Sequence, residues 1–343
     1  MGIGRRCKAV LRRGVKAALR SRAAEPMLGR LFADRAFCLM LHRVAPHDPA
    51  RLASNEMSKV SPTELERFIR EALDGGYRFV SLSDALGLMA QKSAPAGKFI
   101  VMTLDDGYRD NLTNALPIFE KYGVPFILYP STAFIGSGVL PWWHALEEIL
   151  LRRDRVSFMG ESIAAASMDE KNRAFEAVRS KILPLDDGES DIAAVLLAEN
   201  KFEVGREALS LFLSWDELGA ISRSGLAEIG NHGHRHLDLS ACSAETVERE
   251  FTVSAEMIER RLDIRPVHYS FPYGHYDERT IGVLKSLGAR SAVTVEPKAI
   301  NKLNREGELP LIPRLGLYDR LGLRGLRAEV FYADMSAFIR LGR

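Results

Sequence analysis

Short apolar runs recur along this chain, and segments with helical spacing follow most of them. Residues 36–41 (AFCLML), Phe79–Leu82, Lys98–Leu104 (KFIVMTL) and Val124–Tyr129 (VPFILY) read as buried strands. Between the first two, Ser61-Pro62-Thr63-Glu64 carries a helix start: a capping Ser, Pro in the first turn and Glu three residues on. That helix runs through Leu65, Phe68, Ile69 and Leu73 to a stop at Gly75-Gly76. Ser83-Asp84 starts a short helix, and residues 110–122 are helical. Strands alternating with helices predict a parallel α/β arrangement.

The rhythm breaks near Gly136. Residues 137–212 read as an inserted, largely helical subdomain, beginning at Pro141-Trp142-Trp143. The alternation returns at Trp215, whose ring is expected in the core. A helix runs to Ser224, then come a strand at Leu226–Ile229, a helix over 244–262, a strand at 267–271, a helix over 277–287 and a strand near 290–295. Residues 319–343 form a basic, loosely patterned helical tail. The expected organisation is therefore an arm (1–31), a split core domain (36–136 and 213–318), the insert and the tail.

Net charge of +2 conceals an asymmetry. Residues 1–31 hold nine basic residues against Glu25 alone, so this arm is +8 and the other 312 residues are −6. Ile3, Cys7, Val10, Leu11, Val15, Ala18 and Leu19 recur at helical spacing with basic residues between them. Two readings fit: an interfacial helix drawn to an anionic membrane surface, or a solvated helix packed on the domain. No base-stacking module accompanies the arm, so nucleic acid is not the expected partner. Lys16, Arg20 and Arg22 interrupt every candidate secretory core, and there is no 18-residue apolar run. Three widely spaced cysteines (Cys7, Cys38, Cys242) fit a reducing compartment. The expected location is cytoplasmic, peripheral on the inner membrane face.

Five of the eight histidines fall between His232 and His275. Two clusters stand just past the ends of expected strands, where parallel α/β folds place their sites. The first is Thr103-Leu104-Asp105-Asp106-Gly107-Tyr108. Adjacent carboxylates after a buried strand are costly unless a positive charge meets them. A divalent cation would meet that need, with one carboxylate ligating and the other free as a base. A plain Asp-Gly turn, with Asp110 capping the next helix, is the alternative. The second cluster is Asn231-His232-Gly233-His234-Arg235-His236. His232 and His236, at i and i+4, can share one metal, and His234 between them is read as lying outside that pair. One carboxylate and two imidazoles leave coordination positions open, as a catalytic site requires. Zinc suits these ligands best; cobalt, manganese and iron also accept them.

These motifs resemble the polysaccharide deacetylase family (carbohydrate esterase family 4, the NodB-homology domain), in the branch that includes poly-N-acetylglucosamine deacetylases. The resemblance implies an irregular (β/α) barrel and hydrolysis of N-acetyl groups on amino sugars of a polysaccharide or lipid-linked glycan. In Leu104-Asp105-Asp106-Gly107 it implies Asp105 as general base and Asp106 as metal ligand. In the His-x-x-x-His motif it implies His232 and His236 as the other ligands. The family usually has Ser or Thr after the first His; here Gly233 stands, and a hydroxyl that would brace the loop is lost. The third motif, usually Arg-x-Pro-Phe/Tyr, is Ser270-Phe271-Pro272-Tyr273-Gly274. Tyr273 would offer its backbone N–H to the developing oxyanion. The Arg that braces the catalytic Asp is replaced by Ser270, and Arg314, in Leu311-Ile312-Pro313-Arg314-Leu315, is the expected substitute. The family's late His, its general acid, has no counterpart after His275. His42, in Leu41-His42-Arg43, is the candidate acid, against a bland reading as a strand-end His bonded to backbone. Trp142-Trp143-His144 could stack on a sugar or anchor the insert. The rival activities are an O-acetyl esterase or deformylase on the same fold, and a catalytically impaired glycan-binding protein.

Overall fold

The computed structural model describes residues 14–15, 17–90, 97–184, 191–300 and 307–341. The apolar runs fold as the strands of an irregular (β/α) barrel. The described strands, in chain order, are β1 (Phe37–Leu41), β2 (Arg43–Val44), β3 (Lys59–Val60), β4 (Arg78–Phe79), β5 (Phe99–Asp106), β6 (Phe126–Pro130), β7 (Arg155–Phe158), β8 (Glu161–Ala164), β9 (Ala227–Ile229), β10 (His268–Ser270), β11 (Ser291–Val293), β12 (Leu311–Ile312) and β13 (Leu315–Gly316). A parallel sheet runs β13-β1-β5-β6-β9, with β4 beside the start of β5, and a second runs β10-β11-β12. A parallel bridge, Asn231 to Tyr269, joins the two sheets on one side. On the other, only Pro313-Arg314 separates β12 from β13. The register Phe37–Ile100 to Leu41–Leu104 sets β1 against β5, and Met102–Phe126 to Asp106–Pro130 sets β5 against β6.

Strand periodicity decides which side chains reach the site. All eight residues of β5 are buried. Ile100, Met102 and Leu104 pack outward with Phe37, Leu39, Phe126 and Leu128 under the helices. Phe99 and Val101 point the other way, into a cluster with Cys38, Ile127, Tyr129, Val293 and Ile312. Period-two alternation then carries Thr103 and Asp105 to that inner face. Cys38 and Cys242 are both buried, and burial pushes the Cys38 thiol up to about 12.

The helix Pro62–Asp74 starts at Ser61 as its sequence predicts, with the Ser61 hydroxyl accepting from Glu64 N. Two expected elements in the first half of the barrel differ from the sequence reading. The strand at Phe79 is shorter than expected, because Ser81 rather than Ser83 opens the next helix: its hydroxyl accepts from Asp84 N at 3.0 Å. The helix after Asp110 begins as a π turn over Asn111–Ala115, before regular α-helix over Leu116–Tyr122. Its asparagine amides reach back, Asn111 to the His42 carbonyl at 2.9 Å and Asn114 to the Val44 carbonyl at 2.7 Å. Asp110 makes no side-chain cap there; its carboxylate takes Arg43 Nε and Val44 N instead.

Residues 137–213 hold the helices Trp142–Arg152, Met168–Ile182, Ile192–Glu199 and Arg206–Leu209. They also hold an antiparallel hairpin, β7-β8, where only helix was expected. This segment has its own core of Trp142, Leu146, Ile149, Val156, Phe158, Phe175, Val178 and Leu196. The C-terminal helix, Gly322–Leu341, is no loose tail: Leu326 and Val330 are fully buried in the main core. Trp215 packs against that core from a half-buried position. Residues 1–13 and Lys16, which carry most of the arm's expected amphipathic pattern, lie outside the described residues. Among the described helices none is long and apolar enough to cross a membrane.

Candidate active site

The C-terminal ends of β1, β5, β10 and β12 and the loop after β9 converge on one cavity of about 360 Å³. His42, Asp105, Asp106, His232, His236, Tyr273 and Arg314 all line it. All seven residues singled out from the sequence are thus brought together.

Asp105 is buried at the top of the inner face of β5, which without a partner would favour its neutral form. Arg314, 1% exposed, answers it with two parallel bonds, Nη1 to Oδ1 and Nη2 to Oδ2, both 2.8 Å. The rest of the guanidinium is equally committed. Nη1 also donates to Thr103 Oγ1 (3.0 Å), Nη2 to Ser270 Oγ (2.9 Å) and Nε to the Thr294 carbonyl (3.2 Å). All five donors are therefore used. Burial raises the Asp105 pKa, but the positive charge of Arg314 and its hydrogen bonds outweigh it and hold the carboxyl below its usual range. Ser270 stands where the family's Arg is expected; its small side chain accepts from the guanidinium that arrives from β12.

Asp106 leaves the strand geometry with φ 71°, and His236 (φ 61°) and Tyr273 (φ 57°) share that left-handed region. Such strain in residues with side chains concentrates at functional sites. It turns Asp106 Oδ1 toward His232 Nε2 at 3.4 Å and His236 Nε2 at 3.3 Å. The three ligand atoms lie within 4.8 Å of one another. His232 Nδ1 is 3.0 Å from the Ser270 carbonyl, which can only accept, so Nδ1 carries the proton and Nε2 presents a lone pair. Asp106 Oδ1 is buried without a hydrogen-bond partner. A buried carboxylate oxygen facing two imidazole nitrogens has the donor set and the unmet charge that a divalent cation satisfies.

The histidine loop is braced by a residue the sequence did not single out. Glu250, 1% exposed on the helix Ala244–Leu262, accepts from His234 N (3.0 Å), Arg235 N (2.7 Å) and Arg235 Nε (3.0 Å). Asn231 Oδ1 accepts from Gly233 N at 2.8 Å. The loop therefore holds its shape without the usual hydroxyl after His232. His234 turns away from the ligand pair and pairs with Thr132 Oγ1 at 2.9 Å.

Helix Trp142–Arg152 of the insert forms another wall. Trp142 Nε1 donates to Tyr273 OH (2.9 Å), and the Trp143 ring meets His236 edge-on with centroids 4.9 Å apart. Trp143 Nε1 donates to Tyr108 OH (3.1 Å), and that hydroxyl pairs with His144 Nε2 (3.0 Å). His144 Nδ1 faces Glu147 at 3.7 Å. The two tryptophans thus anchor the insert and line the cavity at once. Neither Tyr108 nor Glu147 carried a sequence signal beyond proximity to a motif.

The fold is thus a (β/α) barrel with an Asp-His-His group that could hold a metal ion at the carboxyl ends of its strands. The family model for polysaccharide deacetylase matches residues 92–292, and the chain belongs to that family. The Bacillus subtilis (strain 168) protein YxkH is 19% identical over 251 residues, which is 73% of this chain and 64% of that protein's length. The chain thus spans less than two thirds of that relative. Among solved structures, Streptococcus pyogenes deacetylase PplD in complex with acetate has a TM-score of 0.57 at 15% identity, covering 86% of this chain and 98% of that one. IcaB from Ammonifex degensii has a TM-score of 0.54 at 17% identity, covering 88% and 97%. At these identities the likeness is one of fold.

Proposed function

We propose that the protein is a metal-dependent deacetylase that removes N-acetyl groups from an amino sugar of a glycan or lipid-linked glycan. The observation that carries this is the buried Asp106 oxygen between two imidazole nitrogens, with an ionised, Arg-clamped Asp105 in the same cavity. A divalent cation held by Asp106, His232 and His236, with zinc the best match to the donors, supplies Lewis acidity that acidifies water and polarises an acetyl carbonyl. Asp105 accepts a proton from the attacking water; the Arg314 bonds leave its oxygens further lone pairs for this. The Tyr273 backbone N–H donates to the developing oxyanion. His42 passes a proton to the leaving amine, and acetate departs. Trp142 and Trp143 give the cavity an aromatic wall for a pyranose face.

One observation favours a second reading. The chain has no histidine after His275, and an ester leaving group depends less on a general acid than an amine does. O-acetyl ester hydrolysis on the same residues follows from that. Metal analysis with acetate release from matched N-acetyl and O-acetyl sugars tests both. Wild type is expected to hold one metal per chain and release acetate from the N-acetyl sugar. Asp105→Asn should keep the metal and lose the activity, and His232→Ala should lose both. A wild type without stoichiometric metal would sink the proposal.

A further inference from the structure

We infer that the substrate's amino sugar carries an aliphatic chain, and that a groove between the barrel and the insert binds that chain. The inference rests on the deacetylase reading and narrows its substrate class. A second cavity, about 430 Å³, adjoins the catalytic one, and both are lined by Trp142, Trp143, His236 and Tyr273. A ligand whose sugar occupies the first cavity can therefore extend into the second across the two tryptophans.

The chemistry of the lining selects the occupant. Several of its polar side chains are already engaged with the protein. His234 pairs with Thr132 at 2.9 Å, and Arg235 Nε donates to Glu250 at 3.0 Å. Asp238 accepts from Ser240 at 2.7 Å and pairs with His275 at 2.6 Å, while Asp191 accepts from Ala194 N at 3.0 Å. A second sugar brings several hydroxyls, each of which loses water and needs a partner. What the groove offers instead is carbon, from Val139, Leu140, Ile182, Ile192, Leu237 and Met257. Val139 is 40% exposed there. An aliphatic chain asks only for burial, and the volume falls in the range of ordinary ligand pockets. The four residues shared with the catalytic cavity point to a chain attached to the sugar rather than to a separate partner.

The test uses methyl, hexyl and octyl N-acetylglucosaminides, all below their micelle concentrations. For wild type, KM should fall with chain length, at least tenfold from methyl to octyl; the ceiling is about fourfold per methylene, equivalent to ~0.8 kcal/mol. Val139→Asp and Met257→Glu, both at half-buried or exposed positions whose folding is checked by thermal melting, should cut the octyl-to-methyl advantage at least threefold. Octyl glucoside, which has no acetyl group to lose, should bind wild type in calorimetry with a negative heat-capacity change. Equal KM values across the series, or an octyl advantage untouched by either variant, overturns the inference while leaving the deacetylase reading intact. Acetate release from none of the glycosides, with octyl glucoside still bound, fails the deacetylase reading and upholds the groove. Absence of octyl glucoside binding overturns the groove.

Discussion

Arg314 and Asp105 meet plane to plane in the barrel interior, 209 residues apart in the chain and joined by two bonds of 2.8 Å. Both side chains are almost fully buried. Breaking such a pair from one side leaves a charge with no water and no partner, which costs roughly 3–5 kcal/mol. Arg314→Met is therefore expected to lower the thermal midpoint sharply and to cut acetate release by about a hundredfold or more, the scale of a lost general base. Arg314→Lys, which presents a compact ammonium rather than a planar fork, should recover part of the stability and little of the activity. Activity near the wild-type level in Arg314→Met would remove Asp105 from the base role.

Cation binding should be visible without any substrate. A ligand that binds only the folded state stabilises it by mass action, by about 2.7 kcal/mol at a concentration of 100 Kd. Adding zinc to chelator-treated protein should raise the melting midpoint. Asp106→Asn should abolish that rise, because the buried Oδ1 between the two Nε2 atoms is its focus. A rise of equal size in Asp106→Asn would place the metal elsewhere.

Glu147 ties the insert to the barrel and makes stability sensitive to acid. Burial would raise its pKa, but His144 and Asn55 beside it and the Leu52 N–H, which donates at 3.0 Å, pull it down from 4.5 to about 2. A depressed folded-state pKa means that its contribution is complete above about 4.5 and is lost as pH falls toward 2. A shift of that size corresponds to roughly 3 kcal/mol. Urea midpoints for wild type and Glu147→Gln should differ at pH 7 and converge between pH 4.5 and 2. A constant difference across that window would show that the carboxylate charge contributes nothing.

Restoring the family's hydroxyl after His232 should harm the loop. Gly233 has φ +77°, and a Cβ there would lie 3.4 Å from Glu250 Oε2. Left-handed backbone costs a residue with a side chain about 1–2 kcal/mol. Gly233→Ser is expected to lower the unfolding free energy by that amount and to leave acetate release no higher than wild type. A stabilised Gly233→Ser would mean that Glu250 does not brace the loop in the way its three bonds suggest.

The long parallel strands β1, β5 and β6 were legible because each is an apolar run closed by a polar signal. The Asp105-Asp106 cluster falls where one such run ends. The hairpin β7-β8 was not legible: its strands mix charge with small residues, and its turn uses Met159 (φ 53°) before Gly160 (φ 74°). Met is not a residue that announces a left-handed turn. The Arg314 clamp could be guessed from a missing Arg, but no local pattern sets its partner. That follows from barrel closure at Pro313-Arg314 and from the space Ser270 leaves. Glu250 was invisible for a similar reason, since it is one acid among several on a helix whose facing side only the packed fold decides.

The place of Arg314 in the chain has a consequence for a protein still being synthesised. His236, the last of the three candidate ligands, leaves the ribosome 78 residues before Arg314 does. Until Arg314 arrives, Asp105 lacks the counter-charge that steadies it. On the proposed reading, closing the final pair of strands completes the base, and a product cut short before β12 would carry an unbraced Asp105.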